Sequence, residues 1–135
     1  MTLSSNVRYT LVAVTILATK QPRSGALARA PFTNLSELHQ ALGLSVSYLE
    51  QLMKRLRDAE LVVARTGPKG GYRLSHRASR ITLGSVARAV ETYGVRAVGG
   101  EPQDIADRLN GRFDAFLDSV SVADVASTRL AEGDA

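Results

Sequence analysis

Residues 34–74 constrain the fold more than any other segment of this 135-residue chain. Asn34 and Glu37 have the spacing of a helix N-cap and its N3 carboxylate, and the helical pattern that they begin ends at Gly43. A second amphipathic helical pattern starts within a few residues of that glycine. Its apolar face consists of Leu49, Leu52, Met53, Leu56 and Ala59. Two short helices joined by a tight turn that contains Gly predict a helix-turn-helix.

A β-hairpin pattern follows the second helix directly. The sequence LVVART at 61–66 is rich in β-forming residues, GPKGG must turn, and YRLS returns the chain. Gly67, Gly70 and Gly71 allow positive φ and, because they have no side chains, let backbone N–H groups come close to a phosphate. A hairpin appended to a helix-turn-helix predicts a winged helix-turn-helix.

The remaining segments are predicted to be helical, apart from two loops. Apolar residues follow two neighbouring helical strips over 3–18, and a basic loop interrupted by Pro and Gly follows at 20–32. Further helical patterns cover 81–90 and 104–120, and the aperiodic residues 93–103 between them are interpreted as a flexible loop. The predicted fold class is therefore mainly α-helical with a small β-hairpin.

Three regions follow from this pattern. Residues 1–80 are predicted to form a winged helix-turn-helix DNA-binding domain, and residues 81–103 a connecting helix and loop. Residues 104–135 are predicted to form a long dimerisation helix and a C-terminal tail, which includes a short helix through Val122, Val125 and Leu130. The first helix is expected at the dimer interface as well, because a monomer of this size rarely covers two apolar strips.

Charge is distributed unevenly between the two ends of the chain. Residues 1–80 carry twelve Lys or Arg against four Asp or Glu, a net charge of +8. Residues 81–135 carry five against nine, a net charge of −4, so the whole chain has +4. We expect the basic part to face a polyanion and the acidic part to pair with a second copy. The predicted dimerisation residues are Ile105, Leu109, Phe113, Phe116, Leu117 and Val120.

Polar and basic side chains occupy the face of the second helix that lies opposite its apolar residues. On a helical wheel Ser47, Gln51 and Lys54 point outward, with Tyr48 and Arg55 at the flanks. Such a stripe can enter the major groove of DNA, where Ser and Gln reach base edges and Lys or Arg reach guanine or phosphate. A solvated surface is the alternative, but the adjoining capped helix and basic hairpin favour DNA.

The two serines and the hairpin cations have further roles in this hypothesis. Either Ser45 or Ser47 caps the second helix, and the other meets a phosphate. Arg65, Lys69 and Arg73 surround the glycine-rich tip with positive charge.

Several other classes of protein are excluded or disfavoured by the residue types present. The chain has no cysteine, so disulfides, cysteine-ligated metal centres and thiol nucleophiles are excluded. His39 and His76 are far apart in the sequence and have no convergent carboxylates, so we predict no metal site. There is no recognisable Ser-His-acid order, and the chain is not expected to be an enzyme. The apolar run at 8–20 is too short to span a bilayer and is better explained by an amphipathic helix, so we expect a cytoplasmic protein.

The segment LSVSYLEQLMKRLRDAELV, followed by GPKGGYRLS, resembles the bacterial Rrf-two family of winged-helix regulators. The resemblance extends over most of residues 4–126. It implies a homodimeric transcriptional regulator that binds double-stranded DNA at a partly palindromic operator, with the helix at about 104–120 crossing its symmetry mate. We expect this regulator to be a repressor, although the sequence leaves activation open. By position, the resemblance assigns base or phosphate contacts to four residues of the second helix. They are Ser45, Ser47, Tyr48 and Gln51.

Other DNA-contacting positions come from the same resemblance. Lys54 and Arg55 would hold the DNA backbone, and the tip of the wing would enter the minor groove. The tip includes Lys69, Gly70, Gly71 and Tyr72. Two positions depart from the family pattern. Glu60 replaces the usual Gly, so the turn after the second helix is made either without a positive φ or with strain. Thr66 replaces the usual minor-groove Arg, so Arg65 or Lys69 takes its place.

Cluster-binding members of that family carry three cysteines in the loop that corresponds to 93–103, and this chain has none. The resemblance therefore implies a regulator with no iron-sulphur cluster or other cofactor, which responds to a small molecule or a partner protein. Residues that could line a ligand pocket are Tyr93, Val95, Val98 and Phe113. The alternative function is a winged-helix module that binds a protein and has no specific DNA binding.

Overall fold

The computed structural model describes residues 3–90 and 103–127. Its helices are α1 (Ser5–Thr19), α2 (Leu35–Leu42), α3 (Val46–Asp58), α4 (Leu83–Val90) and α5 (Gln103–Ser119). Its strands are β1 (Val62–Arg65) and β2 (Gly71–Leu74), and residues 122–127 are also helical. The prediction of a mainly α-helical fold with one hairpin is confirmed. The predicted loop at 93–103, apart from its last residue, and the end of the predicted tail lie outside the described residues.

Helix α1 lies at the centre of the protomer. It packs against α2, α4 and β2 and buries Val7, Val14 and Leu17. Thr10 and Thr15 are also buried, and each hydroxyl donates 2.7 Å to the carbonyl oxygen four residues earlier. These hydrogen bonds satisfy the two hydroxyls, which makes polar residues tolerable in the centre of the protein. None of the helices in the described part of the chain has the length and apolar character needed to span a bilayer.

Local capping groups define the helix-turn-helix. The side chain of Asn34 accepts a hydrogen bond from the N–H of Glu37 at 2.8 Å and so begins α2. Gly43 ends α2 in the left-handed conformation, with φ of 70°. Ser45 then caps α3 through the N–H of Tyr48. Because one glycine and one capping serine make the turn, α2 and α3 pack directly against each other, and the predicted helix-turn-helix is confirmed.

The hairpin of β1 and β2, hereafter the wing, is attached to the segment that precedes α2. Its antiparallel register pairs Val62 with Leu74 and Arg65 with Gly71. Thr33 and Tyr72 exchange two backbone hydrogen bonds of 2.8 Å, so an isolated β-bridge joins the edge of β2 to the segment before α2. The inner face of the wing is buried against the rest of the protein, which fixes the orientation of the wing on the helix-turn-helix.

Buried side chains from both ends of the described chain meet in one main core cluster. It contains residues of α1, α2, α3 and the wing together with Val86, Val122 and Ala126. Backbone hydrogen bonds of 2.9 Å from Leu83 to the Val120 carbonyl and 2.8 Å from Val122 to the Ile81 carbonyl hold the end of α5 beside the start of α4. The position of α5 is therefore tied to the core that carries the helix-turn-helix.

Glu60, between α3 and β1, has a left-handed backbone with φ of 61°. Of the two alternatives that the sequence leaves open, the turn is thus made with a positive φ. A residue with a Cβ atom is strained in this conformation by about 1–2 kcal/mol. We expect Glu60→Gly to raise the free energy of unfolding by about 1 kcal/mol, because glycine removes most of this strain. Chemical denaturation of the two proteins measures the difference.

The matched control for this change is Glu60→Ala. It removes the same charge but keeps a Cβ atom, so its stability should stay close to that of the original chain. An equal gain from both substitutions would show that the carboxylate, rather than the backbone conformation, is the unfavourable feature at this position.

Candidate nucleic-acid interface

The outward face of α3 presents three polar side chains in a row. Ser47, Gln51 and Lys54 are exposed at positions i, i+4 and i+7, whereas Leu49, Leu52, Met53 and Leu56 are buried on the opposite face. Within the described residues none of the three exposed side chains makes a hydrogen bond or an ion pair. Their donors and acceptors therefore remain available for a ligand that lies along this face.

The structure separates the roles of the two serines at the start of α3. The hydroxyl of Ser45 accepts the N–H of Tyr48 at 3.1 Å, so Ser45 is the N-cap. Ser47 is exposed in the first turn of the helix and takes no part in the cap. The structure thus gives the capping role to Ser45 and leaves the hydroxyl of Ser47 facing solvent.

Tyr48 and Arg55, at the flanks of α3, are hydrogen-bonded to other helices. The hydroxyl of Tyr48 donates to Oδ1 of Asn6, and its ring contacts Tyr9 edge to face, with 6.3 Å between ring centroids. Arg55 donates from Nη1 to the carbonyl oxygen of Val90. The sequence predicts that these two side chains contact DNA. In the structure Tyr48 connects α3 to α1, and Arg55 connects α3 to α4.

The three glycines of the wing have different structural roles. Gly67 and Gly71 have φ of 101° and 141°, as predicted. Gly70 does not have a positive φ, so it does not use the conformational freedom that glycine allows. This residue must be glycine because a Cβ atom would lie 2.1 Å from the carbonyl oxygen of Arg65. Its N–H donates 3.0 Å to the carbonyl of Gly67, so this group is used inside the turn and is not free for a phosphate.

The cations of the wing are distributed between its tip and its outer face. Lys69 is exposed at the tip, and Arg65 is exposed near the end of β1. Arg73 is half-buried and donates to the carbonyl oxygens of Ala28 and Ala30, so it anchors the wing to the preceding loop. Tyr72 is also half-buried and belongs to the backbone pair with Thr33. Lys69 and Arg65 are therefore the wing cations that face solvent.

Phe32 is a residue of this surface that no sequence pattern indicated. Its half-buried ring lies near both arginines, with the guanidinium carbon of Arg73 at 4.4 Å and that of Arg65 at 5.8 Å from the ring centroid. Strand alternation and the hairpin register predict that both arginines lie on one face of the wing. Phe32 precedes both of them by more than thirty residues in the sequence, so no local pattern connects it with them. Its contact with the wing depends on the pairing of Thr33 with Tyr72, which no local pattern reveals.

Helix α5 carries an exposed apolar stripe. Ile105, Leu109 and Phe116 are 48%, 47% and 61% exposed, although large apolar side chains usually avoid such exposure. Phe113 and Val120 are half-buried at the edge of the stripe. Leu117 departs from the predicted dimerisation set, because it is only 3% exposed within its own protomer. It points to the side of α5 that packs on the protein, about 100° away from Phe116.

The predicted ligand pocket is largely outside the described part of the chain. Tyr93, Val95 and Val98 all lie between residues 90 and 103, and Phe113 is half-buried on α5. A separate open cleft of about 680 Å³ lies between the end of α1, the segment after β2 and residues 122–127. Its rim includes Arg23 and Arg77, and its floor includes several alanines.

A capped helix-turn-helix with free polar groups on its second helix, followed by a basic wing, defines a winged helix-turn-helix DNA-binding protein. Residues 3–128 match the family described as Rrf2, Iron-dependent Transcriptional regulator. The chain belongs to this family, and the resemblance seen in the sequence is confirmed.

Similar proteins agree with this assignment. The chain is 36% identical to the HTH-type transcriptional regulator IscR of Sodalis glossinidius, over 94% of this chain and 79% of that protein. It is 34% identical to IscR of Cereibacter sphaeroides, over 98% and 86%. The structure of CymR, the global cysteine regulator of B. subtilis, has a TM-score of 0.78 and 31% identity, over 95% and 98%. The protein is a transcriptional regulator of the IscR and CymR type.

The donor groups of this chain do not fit an iron-sulphur cluster. The sequence has no cysteine, so it offers no thiolate ligand. Within residues 3–90 and 103–127, no three His, Cys, Asp or Glu side chains come together as a metal site requires. Nδ1 of His39 lies 2.6 Å from the carbonyl oxygen of Leu44, and Nδ1 of His76 lies 2.8 Å from the hydroxyl of Ser75. Both imidazoles are therefore already engaged in local hydrogen bonds.

Proposed function

We propose that the protein is a homodimeric, sequence-specific DNA-binding repressor in which α3 enters the major groove and the wing contacts the minor groove. The observation that carries this proposal is the outward row of Ser47, Gln51 and Lys54 on a helix whose opposite face is fully buried. On most surface helices, polar side chains of this kind form hydrogen bonds with neighbouring residues or with water. Here they lie beside a cationic wing, within a segment that has a net charge of +8.

Recognition in this arrangement divides between bases and phosphates. The carboxamide of Gln51 can both donate and accept, so it can form two hydrogen bonds to one adenine edge. Ser47 and Lys54, one turn away on either side, reach the neighbouring base or the sugar-phosphate backbone. Lys69 and Arg65 add charge at the minor groove. Gln51 then confers sequence preference, and the cations confer affinity that depends on salt.

Dimerisation through α5 explains the exposed apolar stripe. Ile105, Leu109 and Phe116 remain about half exposed within the described part of one protomer, and a second copy of the same helix is the partner that this proposal assigns to them. The exposed Tyr9 and Val12 of α1 add apolar surface. A two-fold axis would place two α3 helices on successive major grooves, as a partly palindromic operator requires. In this division residues 1–80 bind DNA and residues 104–135 hold the dimer.

We also propose that regulation is independent of a cluster or other cofactor and that the protein acts in the cytoplasm. The signal would be a small molecule or a partner protein. The cleft of about 680 Å³ supports the first of these, because its volume is in the range of small-molecule sites. Genomic footprinting with the purified protein, repeated in the presence of candidate metabolites, tests both the operator and the signal.

Two substitutions separate base recognition from phosphate contact. We expect Gln51→Ala to lower affinity for the best operator by about 1–3 kcal/mol while leaving binding to scrambled duplex nearly unchanged, because the lost hydrogen bonds are to a base. Lys69→Ala should lower the affinity for both duplexes by the same factor, because Lys69 is proposed to contact phosphate. Fluorescence anisotropy with labelled specific and scrambled duplexes measures the four affinities.

Salt dependence provides the control for these measurements. If each protomer neutralises about four to six phosphates, the plot of log affinity against log salt has a slope of about −7 to −11 for the original dimer. Lys69→Ala should reduce the magnitude of this slope, and Gln51→Ala should not. Equal losses on specific and scrambled DNA for Gln51→Ala would contradict the major-groove contact. No salt-sensitive binding to any duplex would favour the alternative of a protein-binding module.

A further inference from the structure

The ring of Phe32 and the guanidinium groups of Arg65 and Arg73 form a stack on the outer face of the wing. Arg73 is the nearer cation, at 4.4 Å from the ring centroid, and Arg65 is at 5.8 Å. Both distances lie within the range of about 6 Å in which a cation over an aromatic face is attracted to it. One aromatic residue of the loop before α2 thus contacts both strands of the wing.

The two arginines of this stack differ in what else they contact. Nη1 of Arg73 donates to the carbonyl oxygens of Ala28, at 2.9 Å, and Ala30, at 3.1 Å. Its guanidinium is therefore committed to the protein. Arg65 is exposed, and within the described residues its side chain makes no hydrogen bond or ion pair. Contact with the ring of Phe32 is what orients it.

Backbone pairing holds Phe32 next to the wing. Phe32 directly precedes Thr33, whose N–H and carbonyl both pair with Tyr72 of β2 at 2.8 Å. The guanidinium group of Arg73 also contacts the ring, at 4.4 Å from its centroid. Because these contacts fix Phe32 relative to β2, they also fix the place at which the guanidinium of Arg65 can stack.

We propose that Phe32 is a positioning residue that holds Arg65 ready to contact DNA. This proposal rests on the function proposed above. Thr66 replaces the arginine that usually enters the minor groove. The proposal assigns the role of that arginine to Arg65 rather than to Lys69. A flexible arginine loses side-chain entropy when it binds a phosphate or a groove wall, and stacking in advance reduces that loss. Arg73 supports the ring and does not contact DNA.

A double-mutant cycle tests whether Phe32 acts through Arg65. We expect Phe32→Leu, which keeps the apolar volume but removes the ring, to weaken operator binding about 3- to 10-fold, since a dimer contains two such stacks. Phe32→Tyr should bind like the original protein, because the ring remains. In an Arg65→Ala background, Phe32→Leu should change affinity less than about 2-fold. Each affinity is measured by fluorescence anisotropy on variants whose thermal midpoints have been compared.

The outcomes of this cycle are distinguishable from one another. An equal loss from Phe32→Leu in both backgrounds would overturn the proposal, because Phe32 would then act through Arg73 or the wing as a whole. An unchanged affinity for Phe32→Leu, in a protein that binds its operator, would overturn it as well. Absence of operator binding by the original protein would contradict the proposed function instead.

A second measurement tests the stack without DNA. A side chain over an aromatic face experiences a ring current, so the Cδ protons of Arg65 should resonate upfield of their usual position in the free protein. Phe32→Leu should abolish this shift, and Phe32→Tyr should retain it. If the Arg65 protons of the free original protein show no upfield shift, the stack does not exist in solution and the proposal fails, whatever the DNA affinity of the variants.

Discussion

Gly71→Ala is expected to lower the free energy of unfolding by about 3 kcal/mol, which corresponds to a fall of about 10 °C in the thermal midpoint. Two effects contribute. Gly71 has a φ of 141°, which a residue with a Cβ atom adopts only with strain. The added Cβ would also lie 2.2 Å from the carbonyl oxygen of Thr33 and 2.5 Å from its carbonyl carbon. These are backbone atoms, so the wing must separate from the segment before α2. Differential scanning calorimetry measures the loss.

Gly111→Ala is the matched control for this prediction. Gly111 is an exposed residue of α5, and a Cβ atom added there has no neighbour within 4 Å. Alanine should therefore stabilise the helix by about 0.5–1 kcal/mol. The same substitution is thus expected to lower the free energy of unfolding at Gly71 and to raise it at Gly111. A thermal midpoint for Gly71→Ala close to that of the original protein would show that the wing is not joined to Thr33 by this backbone pairing.

Phe116→Glu is expected to convert the proposed dimer into a monomer and to raise its dissociation constant at least about 1,000-fold. Phe116 is 61% exposed, more than the other two residues of the apolar stripe, and a two-fold interface would bury one copy from each protomer. Two carboxylates would then be desolvated close together, which is strongly unfavourable. Sedimentation velocity over a range of concentrations measures the change, and binding to a palindromic operator should fall with it.

Ala115→Glu controls for the added charge itself. Ala115 is exposed on the same helix, one residue earlier and about 100° around it, away from Ile105 and Leu109. Its replacement by Glu should leave the dimer intact. Loss of the dimer in both variants would indicate a general effect of charge on α5, and retention of the dimer in Phe116→Glu would contradict the proposed interface.

The elements of the DNA-binding surface could be predicted from the sequence because local groups define them. Asn34, Gly43 and Ser45 cap and end helices through contacts within four residues, and the spacing of apolar residues shows which face of α3 is buried. The wing is equally local, since its glycines allow the turn that pairs residues only a few positions apart. For the same reason, helical periodicity is sufficient to place Gln51 and Lys54 on the outward face of α3.

Contacts between distant segments could not be predicted in this way. Tyr48 and Arg55 have the right position on a helical wheel to face DNA, but Asn6 and Val90 lie close enough to hydrogen-bond them. Leu117 fits the apolar period of α5 yet turns into its own protomer. Periodicity identifies a face of a helix, whereas the partner of that face depends on how the helices pack together.

The two hydrogen bonds at the flanks of α3 have a mechanical consequence. Tyr48 is bonded to the start of α1, and Arg55 is bonded to the carbonyl of Val90 in α4. A rotation of α4 or α1 relative to α3 would therefore have to break these hydrogen bonds or carry α3 along. In the proposed dimer, a rotation that carried α3 along would alter the separation of the two α3 helices, and with it how well the pair matches the helical repeat of its DNA site.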